Sequence, residues 1–183
     1  MTVKEILKAA AVELGMADEI DGYLNGVDAS GNKVVADLLR CFNLVENELA
    51  IDYLPLYAEE EVETDTGAVF FAFLSKPVVR VIRVCDEWGN DAPFRLFPEY
   101  IKTQAGKIVV RYTYTPEEKG LEDDCDFPAY ASLRLFAYGI ASEYSLASGL
   151  FEESAVWDKK YKDAIQATYR SSTCRRIRSR RWV

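Results

Sequence analysis

No histidine occurs anywhere in the chain. Ser-His-Asp and Cys-His catalysis, histidine metal sites and the usual neutral-pH proton shuttle are therefore excluded, while carboxylate or lysine chemistry is not. The carboxylates gather in two places, Glu59-Glu60-Glu61 and Glu122-Asp123-Asp124-Asp126. Either could meet a hard cation. Neither has the Asp-x-Asp-x-Asp-Gly spacing of a calcium loop, and neither has a suitable nucleophile or base beside it, so both read as solvated loop charge. The glycines are single and scattered, without the spacing of a phosphate-binding loop. The four cysteines, Cys41, Cys85, Cys125 and Cys174, form no Cys-x-x-Cys pair and read as reduced thiols of a cytosolic protein. No catalytic residue, metal ligand or cofactor site is expected.

Two constellations could bind rather than react. Tyr112, Tyr114 and Trp88 lie near Arg80, Arg83, Arg95 and Arg111 in a β-rich stretch. Interleaved aromatic and basic residues can stack single-stranded bases, but they are also ordinary cross-strand pairs on a half-buried sheet. The sharper feature is the C-terminal segment from Arg170 to Val183. It holds Arg170, Arg175, Arg176, Arg178, Arg180 and Arg181, no acid, and the apolar Ile177, Trp182 and Val183. A solubilising end and a DNA-phosphate contact are alternatives. Arginine beside tryptophan is the composition that dominates interface energies, so a protein-docking strap is the preferred reading.

Charge segregation favours the same reading. The net charge is −8, yet residues 1–169 hold 16 basic against 30 acidic residues, a net of −14. Such a body repels nucleic-acid phosphates, whereas a basic tail can meet an acidic partner surface. A hydrophobic content of 49% over 183 residues is enough for a globular core. No run approaches the ~20 apolar residues of a membrane span, and Met-Thr-Val-Lys-Glu at the start lacks the apolar run of a signal peptide.

The elements that must position these residues follow from periodicity. Thr2-Val-Lys-Glu5 has the form of a capping box, Val3, Ile6, Leu7, Ala10 and Leu14 form a stripe, and Gly15 offers a stop. Residues 16–29 read as a loop. A second helix starts at residues 30–32 and carries the seam Val35, Leu38, Phe42, Val45 and Leu49. Between Leu54 and Tyr114 the pattern changes to an antiparallel β unit. In it, Val78 to Cys85 is expected to turn at Glu87–Asn90 and pair with residues 93–97, and residues 108–114 form another strand. An acidic linker follows, with Asp126 as the expected N-cap and Pro128 in the first turn of a third helix. Two helices joined at Ser148-Gly149 then carry the stripes Leu133, Phe136, Ala137, Ile140, Tyr144 and Trp157, Tyr161, Ala164, Ile165, Thr168. The expected class is α+β. It is a four-helix bundle (residues 1–54 and 126–169) with an antiparallel β insertion and acidic linker (55–125) between helices 2 and 3, and an extended basic tail (170–183).

This order of parts resembles the tailed-phage head–tail connector proteins, the adaptor or head-completion subunits beneath the portal. The resemblance is carried by Val3-Lys-Glu-Ile-Leu7 and by the run Leu38 to Leu56, Leu-Leu-Arg-Cys-Phe-Asn-Leu-Val-Glu-Asn-Glu-Leu-Ala-Ile-Asp-Tyr-Leu-Pro-Leu. Phe127-Pro128, the run Leu133 to Tyr144, Trp157-Asp-Lys-Lys-Tyr161 and the basic end complete it. It covers nearly the whole chain as architecture, through packing patterns and not chemical signatures. It implies a non-enzymatic virion protein made in the host cytoplasm and placed at the head–tail junction. The subunit would form a ring, a dodecamer in the virion, around a channel through which DNA passes without sequence-specific binding. It implies docking on the portal protein through Arg170–Val183, contact with tail or further connector proteins, and no membrane. The β unit is larger than in compact members and looks more like that of podophage-type adaptors. The alternative function is a nucleic-acid-binding or DNA-packaging accessory acting through the arginines. A carboxylate enzyme is the remaining rival.

Overall fold

The computed structural model describes residues 1–24 and 32–172. Among them are five α-helices and two small antiparallel sheets, an α+β protein. The described chain forms two compact units, one built from residues 1–45 with the chain from 119 onward, the other from residues 46–118.

In the helical unit, α1 (Val3–Leu14) starts on the expected capping box. Thr2 Oγ1 accepts from the Glu5 amide at 3.3 Å and Glu5 Oε2 accepts from the Thr2 amide at 3.0 Å. Gly15 closes it at φ 73°, and its amide donates to Ala11 and Val12. The next segment is α2 (Ala17–Leu24), where a loop was expected. Asp18 and Glu19 lie in its first turn, where carboxylates favour the positive helix end, and Ile20 supplies its buried contact. Then comes α3 (Asn32–Glu48), followed by a π-helical turn at Leu49–Tyr53. Val35, Leu38, Phe42, Val45 and Leu49 are all buried.

The expectation of a four-helix bundle with the β insertion between helices 2 and 3 is therefore corrected. The strands follow the third helix, because the acidic, glycine-containing stretch after Gly15 packs an apolar side chain and closes as a helix of its own.

The linker that returns to the helical unit is tied down at both ends. Lys119 exchanges two hydrogen bonds with the Asn43 side chain of α3, at 2.8 and 3.1 Å, and its ammonium reaches Asp126 at 2.7 Å. Further on, the Val3 amide donates to the Asp123 carbonyl and the Cys125 amide to the Met1 carbonyl. Asp126 thus holds Lys119, and the N-cap of α4 (Leu133–Ala147) is Ser132, whose Oγ accepts from the Leu135 amide at 3.2 Å. The last helix, α5 (Phe151–Ser172), continues past Tyr169, where the apolar stripe was expected to stop.

In the other unit, β1 (Leu56–Thr64) and β3 (Val78–Asp86) flank β6 (Gly106–Tyr114), while β2 (Ala68–Phe70) and β4 (Arg95–Leu96) flank β5 (Tyr100–Lys102). Asp86 Oδ1 organises the turn after β3 by accepting from the Trp88 and Asn90 amides. The returning chain bonds β3 only as far as the Ala92 amide, which donates to the Val84 carbonyl at 2.9 Å. Pro93 has no N–H to continue that ladder, so Arg95–Leu96 pairs with β5 instead of β3. The core of this unit is Val69, Val81, Val84, Ile101, Ile108, Val110 and Tyr112.

Candidate docking surface

The basic segment is carried by α5, and α5 is held by α4. Gly149, at φ 78°, ends the α4 turn, and the Leu150 amide donates to the Ser145 carbonyl at 2.9 Å. A reciprocal pair then clamps the hairpin. Ser142 Oγ donates to the Ser154 carbonyl at 3.3 Å, and Ser154 Oγ donates to the Ser142 carbonyl at 3.1 Å. Both serines are buried, so each hydroxyl satisfies itself on the opposite helix.

Lower in the hairpin the approach is closer. A Cβ on Gly139 would lie 2.7 Å from Val45 Cγ1 and 3.0 Å from Tyr161 Cε2, so α3, α4 and α5 meet at this residue. Phe136 packs beside it on Phe42 and Phe127, with ring centroids 5.9 and 5.7 Å apart. Leu133, expected in the stripe, is exposed, and Leu135 takes the core position.

Arg170 lies within α5, but its side chain is outside the described residues. Arg175, Arg176, Ile177, Arg178, Arg180, Arg181, Trp182 and Val183 lie wholly outside them. What the structure places is the outer surface of the hairpin that leads to them. There Tyr138 and Trp157 pack with centroids 5.8 Å apart. Lys160 lies over both rings, at 3.8 Å from Trp157 and 5.5 Å from Tyr138, and Arg134 lies 5.7 Å from Tyr138. Arg134 and Tyr138 are one turn apart on α4, as are Trp157 and Lys160 on α5. Each pair was readable as a helical i, i+3 or i, i+4 neighbour, but their meeting across two helices was not.

The other sequence-level candidates are dispersed. Tyr112 is fully buried, Trp88 is on an exposed turn, and Arg95 belongs to the second sheet, so no stacking platform forms. Arg111 and Arg83 are register partners on the outer face of the first sheet, beside Glu59 on β1. The Glu59–Glu61 run is strand and not loop. Glu60 points to the inner face, where its carboxylate accepts from the Ser75 amide and hydroxyl and from the Tyr112 hydroxyl. Burial alone pushes the Glu60 carboxyl up, but the Ser75 and Tyr112 hydrogen bonds outweigh it and hold the carboxyl below its ordinary value of 4.5. Burial, and then the Glu143 and Asp37 carboxylates, push the Cys41 thiol up to about 11. Cys41, Cys85 and Cys125 are thiols outside any disulfide, and the Cys125 sulfur accepts from the Phe127 amide. Among the described residues, no group of three or more Cys, Asp or Glu side chains converges where a metal ion could sit, and no helix is long and apolar enough to cross a membrane.

Set against protein-family models and curated proteins, the chain matches none.

Proposed function

We propose that this protein is a structural docking subunit of the head–tail connector kind, which binds an acidic surface of a phage portal protein through residues 170–183. One observation carries the reading. All the cationic excess of the chain is gathered in its last 14 residues, behind a body of net charge −14, and it is interleaved with Ile177, Trp182 and Val183. The α4–α5 hairpin supports it, because a helix clamped by Ser142, Ser154 and Gly139 is a firm base for a segment that reaches a partner. The reading needs no catalytic residue. It places the protein at the head–tail junction of a virion, as one copy in a ring.

The test is binding to purified portal protein, followed by light scattering. Replacing the six tail arginines by glutamine is expected to weaken binding at least about tenfold, since several charge-assisted contacts are lost together. Undiminished binding by that variant would refute the docking role.

A further inference from the structure

The groove along the α4–α5 hairpin brings two cations of different helices onto one aromatic ring. It encloses about 470 Å³ and is lined by Tyr130, Ser132, Arg134, Tyr138, Lys160 and Ala167, with Asp163 as its acid. In this unit Lys4, Lys8, Lys119 and Lys162 each sit on a carboxylate, whereas Lys33, Arg40 and Lys159 make no such pair among the described residues. Arg134 and Lys160 have no carboxylate within salt-bridge distance among the described residues. Both charges instead lie within 5.7 Å of the Tyr138 ring. The first turn of α4, which begins at this groove, carries no acid, so the positive end of the helix is left unopposed there.

We infer that this groove is a docking site for a short acidic segment of a partner protein, with two carboxylates flanking an apolar side chain. The two cations supply the charge complementarity. Arg134 can present its guanidinium as a fork to one carboxylate, and Lys160 gives a point charge for the other. Between them lies the Tyr138 ring, which both cations approach and which offers an apolar face to one side chain, and the exposed Tyr130 and the small Ala167 line the same groove. A nucleic acid is a poorer occupant. Asp163 lies in the groove and Glu152 and Glu153 lie further along α5, so a phosphate chain, charged at every step, meets them, whereas a peptide with two spaced carboxylates can set these on the two cations alone. None of the groove residues belongs to segment 170–183, so this site and the tail succeed or fail separately.

The experiment uses the full chain with Trp88→Phe and Trp182→Phe, which leaves Trp157 as the only tryptophan. Its ring packs on Tyr138 and under Lys160, so its fluorescence reports the groove. A short peptide of alternating glutamate and leucine is titrated, beside its glutamine-for-glutamate counterpart and a single-stranded oligonucleotide. A saturable change is expected with the acidic peptide alone. Arg134→Gln with Lys160→Gln is expected to weaken it about tenfold or more, while Lys159→Gln, outside the groove lining, leaves it unchanged. Ala167→Leu fills the groove, keeps both cations and is expected to block the peptide. The inference is overturned by no saturable change, by equal affinity in the groove variants, or by tighter binding of the oligonucleotide.

Discussion

Among the described glycines of the helical unit, Gly139 leaves least room for a side chain. Val45 and Tyr161 stand inside the space a Cβ would need, and neither a β-branched side chain nor a buried ring yields cheaply. Gly139→Ala is therefore expected to lower stability by roughly 1–2 kcal/mol, overpacking outweighing the helix propensity that alanine gains. A urea titration measures the loss, and the loss should shrink in a Val45→Ala background. A cost unchanged by Val45→Ala would remove the steric explanation. Nothing in the sequence marks this glycine, since periodicity locates an apolar face without showing how near the opposing helix comes. The Thr2 cap was legible because its partners are three residues apart. Cys41 was legible as a reduced thiol but not as an inert one. With its thiol pushed up to about 11 by burial, it should alkylate far more slowly than the partly exposed Cys85 in the native protein. Mass mapping of labelled peptides checks this, and equal labelling would contradict it.

At the scale of elements, the strap formed by Glu60 joins β1, β6 and the segment after the short helical turn at Phe71–Phe73. Because the folded carboxyl is held below 4.5, its contribution is complete above that value and is lost as the pH falls below it toward the folded pKa. Glu60→Gln should cost roughly 1–2 kcal/mol at neutral pH, the scale of hydrogen bonds to a charged group, and should flatten the acid dependence below 4.5. Urea midpoints at neutral and acid pH read both effects, and an equal acid dependence in the variant would show that Glu60 is not the group involved. The same strand pair shows why the sheet was only partly legible. Register shifts after Val78 and Val81 leave Val79 and Ile82 as extra, exposed residues of β3, so the buried positions are Val81 and Val84, three apart, and strict alternation misassigns the face. Bulges and the break at Pro93 depend on tertiary pairing that a single strand's sequence does not display. In α2, one buried Ile20 decides between helix and loop, too faint a pattern to outweigh Gly22 and the surrounding acids. The start of α4 was misread at Asp126 because Lys119, distant from any helix pattern, takes its carboxylate.

For the whole molecule, the legible feature is the distribution of charge along the chain, and this carries the functional account. A basic end on an acidic body can address DNA or an acidic protein. The two are separable because phosphate binding weakens steeply with salt through counterion release, while the proposed docking would add the apolar side chains of Ile177, Trp182 and Val183 to the contact. The groove residues were not legible at this scale, since Arg134 and Lys160 are 26 positions apart and meet only through the hairpin. The most direct measurement is the mass, by light scattering, of the full chain mixed with purified portal protein, beside a chain ending at Ser172. The account predicts a joint species with the full chain and none with the shortened one. Equal complex formation by both, or binding of the full chain to DNA alone with a steep salt dependence, would contradict it.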